Sequence, residues 1–224
     1  MPIRPLLSRT LLALAVSLAF APAFAQQDID KVNGAITVDA GERYGNLQTV
    51  NGSIKLGASA RVASAQTVNG SIKVASGVQA GGLSTVNGSI RVGDNVQMSD
   101  DVSTVNGSVF IDRGGNVRGN VETVNGAIGL VDTDVSGDIE TVSGDLTVGV
   151  GSHVRGGIRY RKPSRALISL KGRTPRVIVG PDARVDGPLV FEREVKLYVH
   201  RSATIGPVTG ATAARYESDR APNP

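Results

Sequence analysis

Few residues of this 224-residue chain are suited to acid–base or nucleophilic catalysis. It has two histidines, His153 and His200, and no cysteine, which excludes disulfides, cysteine-ligated zinc and thiol catalysis. Neither histidine belongs to a nucleophile elbow, a phosphate-binding loop or a metal-ligand spacing. We therefore expect no catalytic site, no bound metal and no cofactor. An acyltransferase of the hexapeptide-coil type, with a histidine as its base, is the remote alternative.

A basic segment at residues 160–176 is the strongest candidate for contact with an anionic partner, because it contains no acidic residue. A second basic column, Lys55, Lys73 and Arg91, recurs at 18-residue intervals. This column fits anion binding, and it fits equally well a role in discouraging sideways aggregation of the sheet. The basic side chains of the segment are Arg161, Lys162, Arg165, Lys171, Arg173 and Arg176.

The formal net charge of +4 is too small to indicate nucleic acid as a partner. The charges are unevenly placed: residues 46–93 carry only basic ones, residues 94–145 are mainly acidic, and residues 146–216 are mainly basic. A molecule charged in this way can pair with copies of itself or hold an anionic polymer. The expected partners are therefore a second copy of the chain and an anionic envelope polysaccharide.

A repeat of about 18 residues must position these side chains. Val-Asn-Gly starts at residues 32, 50, 68, 86, 105 and 124, and Val142-Ser143-Gly144 is a seventh copy. Aliphatic columns follow four and six residues after each valine, so that 18 residues divide into three sixes. Short β-strands explain the repeat better than helices, because each copy is rich in Val, Ile, Ser and Thr and is interrupted by Asn and Gly.

Two all-β folds accommodate this repeat. If Asn-Gly forms two-residue hairpin turns, the chain is an antiparallel β-meander. If each repeat is one three-sided coil of a single-stranded parallel β-helix, equivalent residues stack about 4.8 Å apart, which explains why whole columns keep one residue type. We predict the parallel β-helix, a solenoid with about 18 residues per coil, and keep the antiparallel β-meander as the alternative.

The parallel β-helix assigns a place to each column. We expect the Val, Ile and Leu columns to fill the interior, and the threonines that precede the valines to face outward. The glycines are expected at corners where φ is positive and a Cβ would crowd the next coil. Stacked asparagines are expected to bond amide to amide in a structural ladder of Asn33, Asn51, Asn69, Asn87, Asn106 and Asn125.

The chain divides into five segments. Residues 1–25 combine two arginines, an apolar run and Ala-Phe-Ala, as in a signal peptide cleaved after Ala25, which predicts a periplasmic or secreted protein without a transmembrane anchor. Residues 26–159 hold the seven repeat coils. We interpret residues 160–176 as a basic loop or insertion around a short strand at 166–170, residues 177–212 as closing coils, and residues 213–224 as a disordered tail.

Parts of the chain resemble two related groups of proteins. The spacing of the aliphatic residues, together with residues 187–191, 199–200 and 203–206, resembles the bactofilin polymer-forming family. The repeated Thr-Val-Asn-Gly-Ser-Ile is similar to the adhesin β-helical domains of bacterial envelope proteins. The resemblance implies a triangular right-handed β-helix that joins end to end into filaments without nucleotide.

The resemblance and the export signal together set the expected function. Bactofilins generally work in the cytoplasm, whereas the N-terminal segment of this chain favours the cell envelope. We expect a non-enzymatic structural protein that acts in the envelope by self-assembly or adhesion. An anionic-glycan-binding module of the envelope is the alternative.

Overall fold

The protein folds as a parallel β-solenoid of about ten coils. The computed structural model describes residues 26–162, 173–218 and 220–222, and these residues form strands and no helix. All strand pairs in this part of the chain are parallel, and residues in register are 18 or 19 positions apart through the repeat coils. The predicted all-β parallel β-helix is confirmed, and the antiparallel meander is wrong.

Each coil has three faces, numbered in chain order from the face that holds the Val-Asn-Gly strands. The second face is the simplest. It holds the Ile-x-Val strands, which stack as one sheet of ten strands. These are β2 (Ile36–Val38), β4 (Ile54–Leu56), β6 (Ile72–Val74), β8 (Ile90–Val92), β11 (Val109–Ile111), β14 (Ile128–Leu130), β17 (Leu146–Val148), β20 (Arg176–Val179), β23 (Lys196–His200) and β26 (Ala213–Tyr216).

The first and third faces belong to one 16-stranded sheet, because three long strands cross the corner between them: β3 (Arg43–Asn51), β5 (Arg61–Asn69) and β7 (Gln79–Asn87). The first face also contains β1 (Ile29–Asn33), β10 (Val102–Asn106), β13 (Val121–Asn125), β16 (Ile139–Ser143), β19 (Ile158–Tyr160), β22 (Leu189–Phe191) and β25 (Val208–Thr209). The third face is completed by β9 (Gln97–Met98), β12 (Asn116–Val117), β15 (Asp134–Val135), β18 (His153–Val154), β21 (Arg184–Val185) and β24 (Thr204–Ile205).

Side chains alternate between the interior and the surface along most of each repeat strand, so each face sends regular columns into the core. Ile54, Ile72 and Ile90 of the second face and Leu83 of the first face are fully buried. Each such side chain contributes about 1.5–3 kcal/mol when removed from water. A stack of small aliphatic columns therefore replaces the large aromatic core that this composition cannot supply.

The valine and threonine columns of the first face lie opposite to expectation. Val68 is 39% exposed, whereas its neighbour Thr67 is 4% exposed. The strand alternation that buries Ala65 also buries Thr67 and turns Val68 outward. The buried hydroxyl is satisfied, because Thr67 Oγ1 donates to the carbonyl of Gly52 in the preceding coil at 2.8 Å. The predicted interior valine column and outward threonine column are both wrong.

The repeat glycines are required by close contact between coils. A Cβ on Gly70 would lie 2.0 Å from the carbonyl oxygen of Gly52, a distance that real side chains do not tolerate. The expected crowding is thus confirmed. Positive φ occurs in this column only at Gly34 and Gly144, so the expected left-handed corner is wrong for the glycines between them.

The rod continues beyond the repeats. β19 ends at Tyr160 and β20 begins at Arg176, while the predicted strand at 166–170 lies outside the described residues. Residues 213–216, assigned from the sequence to a disordered tail, instead form β26 in register with β23. The physical reason is packing: the ring of Tyr216 stands edge-on to that of His200, with centroids 5.1 Å apart.

Candidate functional site

The asparagine ladder runs along the corner that follows the first face. Each amide nitrogen donates to the side-chain oxygen of the asparagine one coil earlier, at 2.9–3.0 Å. The ladder ends where Ser143 pairs with the last asparagine. Since the amides bond to one another, they hold the coils in register and offer little to a ligand. The residues joined are Asn33, Asn51, Asn69, Asn87, Asn106 and Asn125.

An exposed valine column lies beside the ladder on the first face. Val32 is 69% exposed, and the valines of the next four coils are 39–40% exposed. Two shallow hollows of about 390 and 400 Å³ run between this column and the outward column before it, and both include Ser84 and Val86. The two hollows therefore form one lengthwise surface, which we call the valine face. Its outward residues in the second to fifth coils are Gln48, Val50, Gln66, Val68, Ser84, Val86, Ser103 and Val105.

Charged side chains stand only at the two ends of the valine face. Asp30 and Lys31 flank it in the first coil, and Glu122 begins the acidic end in the sixth coil. In the seventh coil Glu140 accepts a hydrogen bond from Arg161 at 2.8 Å. The centre of the face is therefore uncharged.

Two basic side chains of the segment are paired with acidic residues of the preceding coil. Arg161 pairs with Glu140, and Arg173 pairs with Asp145. The guanidinium of Arg176 lies over the ring of Tyr198, 5.5 Å from its centroid.

These partners lie many residues away in sequence, so the basic run alone gave no sign of them. The backbone nitrogen of Arg176 donates to Asp145 Oδ1 at 2.9 Å, and that of Lys162 to Glu192 Oε2 at 3.2 Å. Arg165 and Lys171 lie outside the described residues. Two of the six charges expected for anion binding, those of Arg161 and Arg173, are thus paired within the described residues.

The column Lys55, Lys73 and Arg91 lies on the second face with its side chains outward. The three residues are in direct register on β4, β6 and β8. All three are exposed.

The two histidines occupy different sheets and different environments. His153 Nε2 lies 2.8 Å from Asp186 Oδ2 on the third face. His200 is buried at the end of β23, where Nδ1 contacts the hydroxyl of Ser202 at 2.8 Å and Nε2 lies 3.3 Å from the carbonyl of Glu217. Both rings therefore have structural partners, and they do not share a site.

The Asp186 carboxylate also accepts a hydrogen bond from Arg184. This bond, followed by the one from His153, holds the pKa of Asp186 below its usual value of about 3.9. The charged form is therefore favoured in the folded state. Its contribution to stability is present above the unfolded pKa and is lost as the pH falls through the lowered folded pKa.

We expect Arg184→Gln to raise the pKa of Asp186 towards its usual value, because the larger of the two causes is removed. Carbon NMR of the aspartate carboxyl groups during an acid titration measures this. The difference in stability between this variant and the wild type should vanish at a pH low enough to protonate Asp186 in both proteins. Arg201→Gln, which breaks the separate contact with Glu217, is the control. An unchanged Asp186 titration in Arg184→Gln would contradict the assignment.

Tyr160 continues the threonine column into the next coil. It pairs in register with Thr141, and its hydroxyl donates to the carbonyl of Gly144 at 3.1 Å. Burial, followed by the nearby Asp145, raises the pKa of the phenol well above its usual range. Tyr160 thus stays neutral and performs the same bonding as the threonines.

No protein-family model, curated protein or solved structure matches this chain. Its assignment to the parallel β-solenoid repeat proteins rests on the structure. Across residues 26–162, 173–218 and 220–222 there is no helix long and apolar enough to cross a bilayer. Within the same ranges, no three His, Asp or Glu side chains come together as metal ligands would.

Proposed function

We propose that this chain is a non-enzymatic structural protein of the cell envelope whose rods associate side by side. The observation that carries the proposal is the valine face: five successive coils expose a valine of one column, each at least 39% exposed. The largest apolar patch on a soluble monomer, typically a few hundred Å², is often a site of contact with another molecule. The export signal predicted from residues 1–25 supports a location in the cell envelope.

The partner that suits the valine face is a second copy of the chain. Four successive coils present valine with glutamine or serine and no charged residue, and the centre of a protein interface is likewise depleted of charged residues. Two orientations have a two-fold axis and are therefore isologous: an antiparallel pair centred between the third and fourth coils, and a parallel pair. In either orientation the uncharged second to fifth coils of the two copies face one another, and the charged first and sixth coils lie at the ends of the contact.

The ends of the rod favour this sideways contact over end-to-end joining of the bactofilin kind. Lys31 stands in the inward threonine column of the first coil, and its Nζ donates to the carbonyl of Ala35 at 3.0 Å. Arg215 stands in register with the inward Val199 in the last coil, and donates to the carbonyls of His200 and Ala203. Inward-pointing charges at terminal strands oppose further strand pairing. They act as polar caps of the stack.

The size of the valine face sets the expected affinity between two copies of the chain. Four coils at about 4.8 Å and a strand of five residues at about 3.3 Å give roughly 20 by 16 Å. Such a surface is smaller than a standard stable interface, so pairing is expected at micromolar or weaker affinity.

Charging the valine face should abolish pairing. We expect wild-type protein to show concentration-dependent dimers in sedimentation velocity, and Val68→Lys with Val86→Lys to remain monomeric, because four buried charges would meet without partners. The matched control is Ala58→Lys with Gln97→Lys, which adds the same charge to exposed positions outside the first face. A wild-type protein that stays monomeric at millimolar concentration would contradict the proposal.

Orientation can be tested directly because the chain lacks cysteine. In the antiparallel pair the second coil of one copy faces the fifth coil of the other. Val50→Cys mixed with Val105→Cys should therefore give an oxidised heterodimer, while Val50→Cys alone should cross-link poorly. Efficient cross-linking of Val50→Cys with itself would instead indicate a parallel pair.

A further inference from the structure

The second face carries cations that nothing in the described chain balances. Lys55, Lys73 and Arg91 make no ion pair or side-chain hydrogen bond with any described residue. The outward residues in the same column are, from the first coil to the last, Thr37, Lys55, Lys73, Arg91, Phe110, Gly129, Thr147, Ile178, Tyr198 and Ala214, without one acid.

Two charged side chains elsewhere on the rod have polar partners. On the third face Arg61 Nε donates to Gln79 Oε1 at 3.0 Å, one coil later. On the first face Glu140 is paired with Arg161. Like charges directly opposite on neighbouring strands destabilise a sheet, so the column on the second face has a cost that the fold does not offset. An anionic ligand would offset it.

Protection against aggregation does not account for this column. Protective lysines act on edge strands, whose backbone groups are free to pair with another sheet. The three cations instead lie on β4, β6 and β8, and each of these strands is paired on both sides.

A column of serine hydroxyls runs beside the cations, two residues earlier in each coil. Each serine oxygen accepts the backbone N–H of the next coil, as between Ser53 and Ser71 at 3.3 Å. None of these hydroxyls donates to an acceptor within residues 26–162, 173–218 and 220–222, so each can donate to an external acceptor. The serines are Ser53, Ser71, Ser89 and Ser108.

Both columns repeat at the coil spacing of about 4.8 Å along the rod, which suits a ligand that is itself linear and repeating. Hydroxyl donors next to cations match a chain that carries both hydroxyl and carboxylate or sulfate groups. Single-stranded nucleic acid would instead need a series of free aromatic platforms. The column offers only Phe110 next to the cations, and the guanidinium of Arg91 already lies 5.9 Å from its ring centroid.

We propose that the second face binds a linear acidic polysaccharide along the rod axis, with Lys55, Lys73 and Arg91 contacting its anionic groups and the serine hydroxyls donating to its oxygens. The valine face lies on a different side of each coil. A rod can therefore pair with another copy and hold the polysaccharide at the same time.

The test is fluorescence anisotropy with the purified full chain and fluorescein-labelled polygalacturonate, a linear polymer with one carboxylate per sugar. Removing a cation from an anionic surface contact costs about fivefold in affinity, so Lys55→Gln with Lys73→Gln should bind about 25-fold more weakly. Lys55→Arg with Lys73→Arg should bind like the wild type. The affinity should fall as salt is raised, and neutral dextran should not compete.

The matched control is Arg43→Gln with Arg61→Gln, which removes two charges in register on the third face. This variant should retain binding to within about twofold of the wild type, since loss of surface charge alone has little effect on a specific contact. An equal loss in both double variants would mean general attraction to a basic protein and would overturn the site. Equal or tighter binding of an oligothymidine of the same charge would overturn the choice of polysaccharide. Circular dichroism of each variant verifies the fold.

Discussion

Replacement of Gly88 by alanine is expected to destabilise the protein by about 3 kcal/mol, at the upper end of what overpacking costs. The added Cβ would lie 1.9 Å from the carbonyl oxygen of Gly70 and 2.6 Å from its carbon. Both contacts are with backbone, so no side-chain rotation relieves them. The coils must separate locally instead.

Separation is resisted from two sides. The Gly70 carbonyl is fixed by the hydroxyl of Thr85, which donates to it at 2.8 Å. Asn87, the residue before Gly88, bonds to Asn69 in the coil before it and to Asn106 in the coil after it. Moving the corner therefore breaks hydrogen bonds in addition to straining the backbone.

Denaturant unfolding monitored by circular dichroism measures the effect. Gly82→Ala, in the strand that ends just before Gly88, is the matched control, because a Cβ there would approach no atom closer than 3.4 Å. The control is expected to be neutral or slightly stabilising, since alanine reduces the freedom of the unfolded chain. Equal stability of the two alanine variants would show that coil spacing does not depend on the glycine column.

The repeat period predicted the fold because each coil is one repeat and residues in register carry one residue type. The assignment of columns to the inside failed at Val68 and Thr67 because both are β-branched and suit strands equally. The sequence does contain a signal for the correct orientation: an aliphatic residue, such as Leu83, precedes every threonine of this column by two positions. Alternation with period two then places the threonine inside and the valine outside.

The surface chemistry was less accessible from the sequence. The basic run at residues 160–176 is a local pattern, yet the acidic partners of Arg161 and Arg173 lie 21 and 28 residues earlier in the sequence. The column of Lys55 and Lys73 was visible, but whether a cation is paired depends on the neighbouring faces. Which charged side chains meet on a solenoid depends on how the coils stack, and the order of charges along the sequence does not give this stacking.

Proline in place of Ile72 is the second change with a large expected effect, about 3 to 4 kcal/mol. Ile72 is fully buried and is in register with Ile54 on one side and Ile90 on the other. Its backbone nitrogen donates to the carbonyl of Ser89 at 3.0 Å. Proline removes this bond and brings its ring against the next coil.

Position within the stack should decide how far the damage spreads. A solenoid is stabilised by contacts between neighbouring coils, so a break in its interior uncouples the coils on both sides. Ile36 is equally buried and makes the same kind of bond to Ser53, but it is in register with Ile54 alone. Ile36→Pro can therefore release only the first coil, and its cost should be at most about half that of Ile72→Pro.

Hydrogen exchange measured by mass spectrometry separates the two cases: Ile36→Pro should expose residues 29–38 only, whereas Ile72→Pro should expose several coils around it. Equal exchange patterns in the two variants would mean that the coils do not unfold as coupled neighbours.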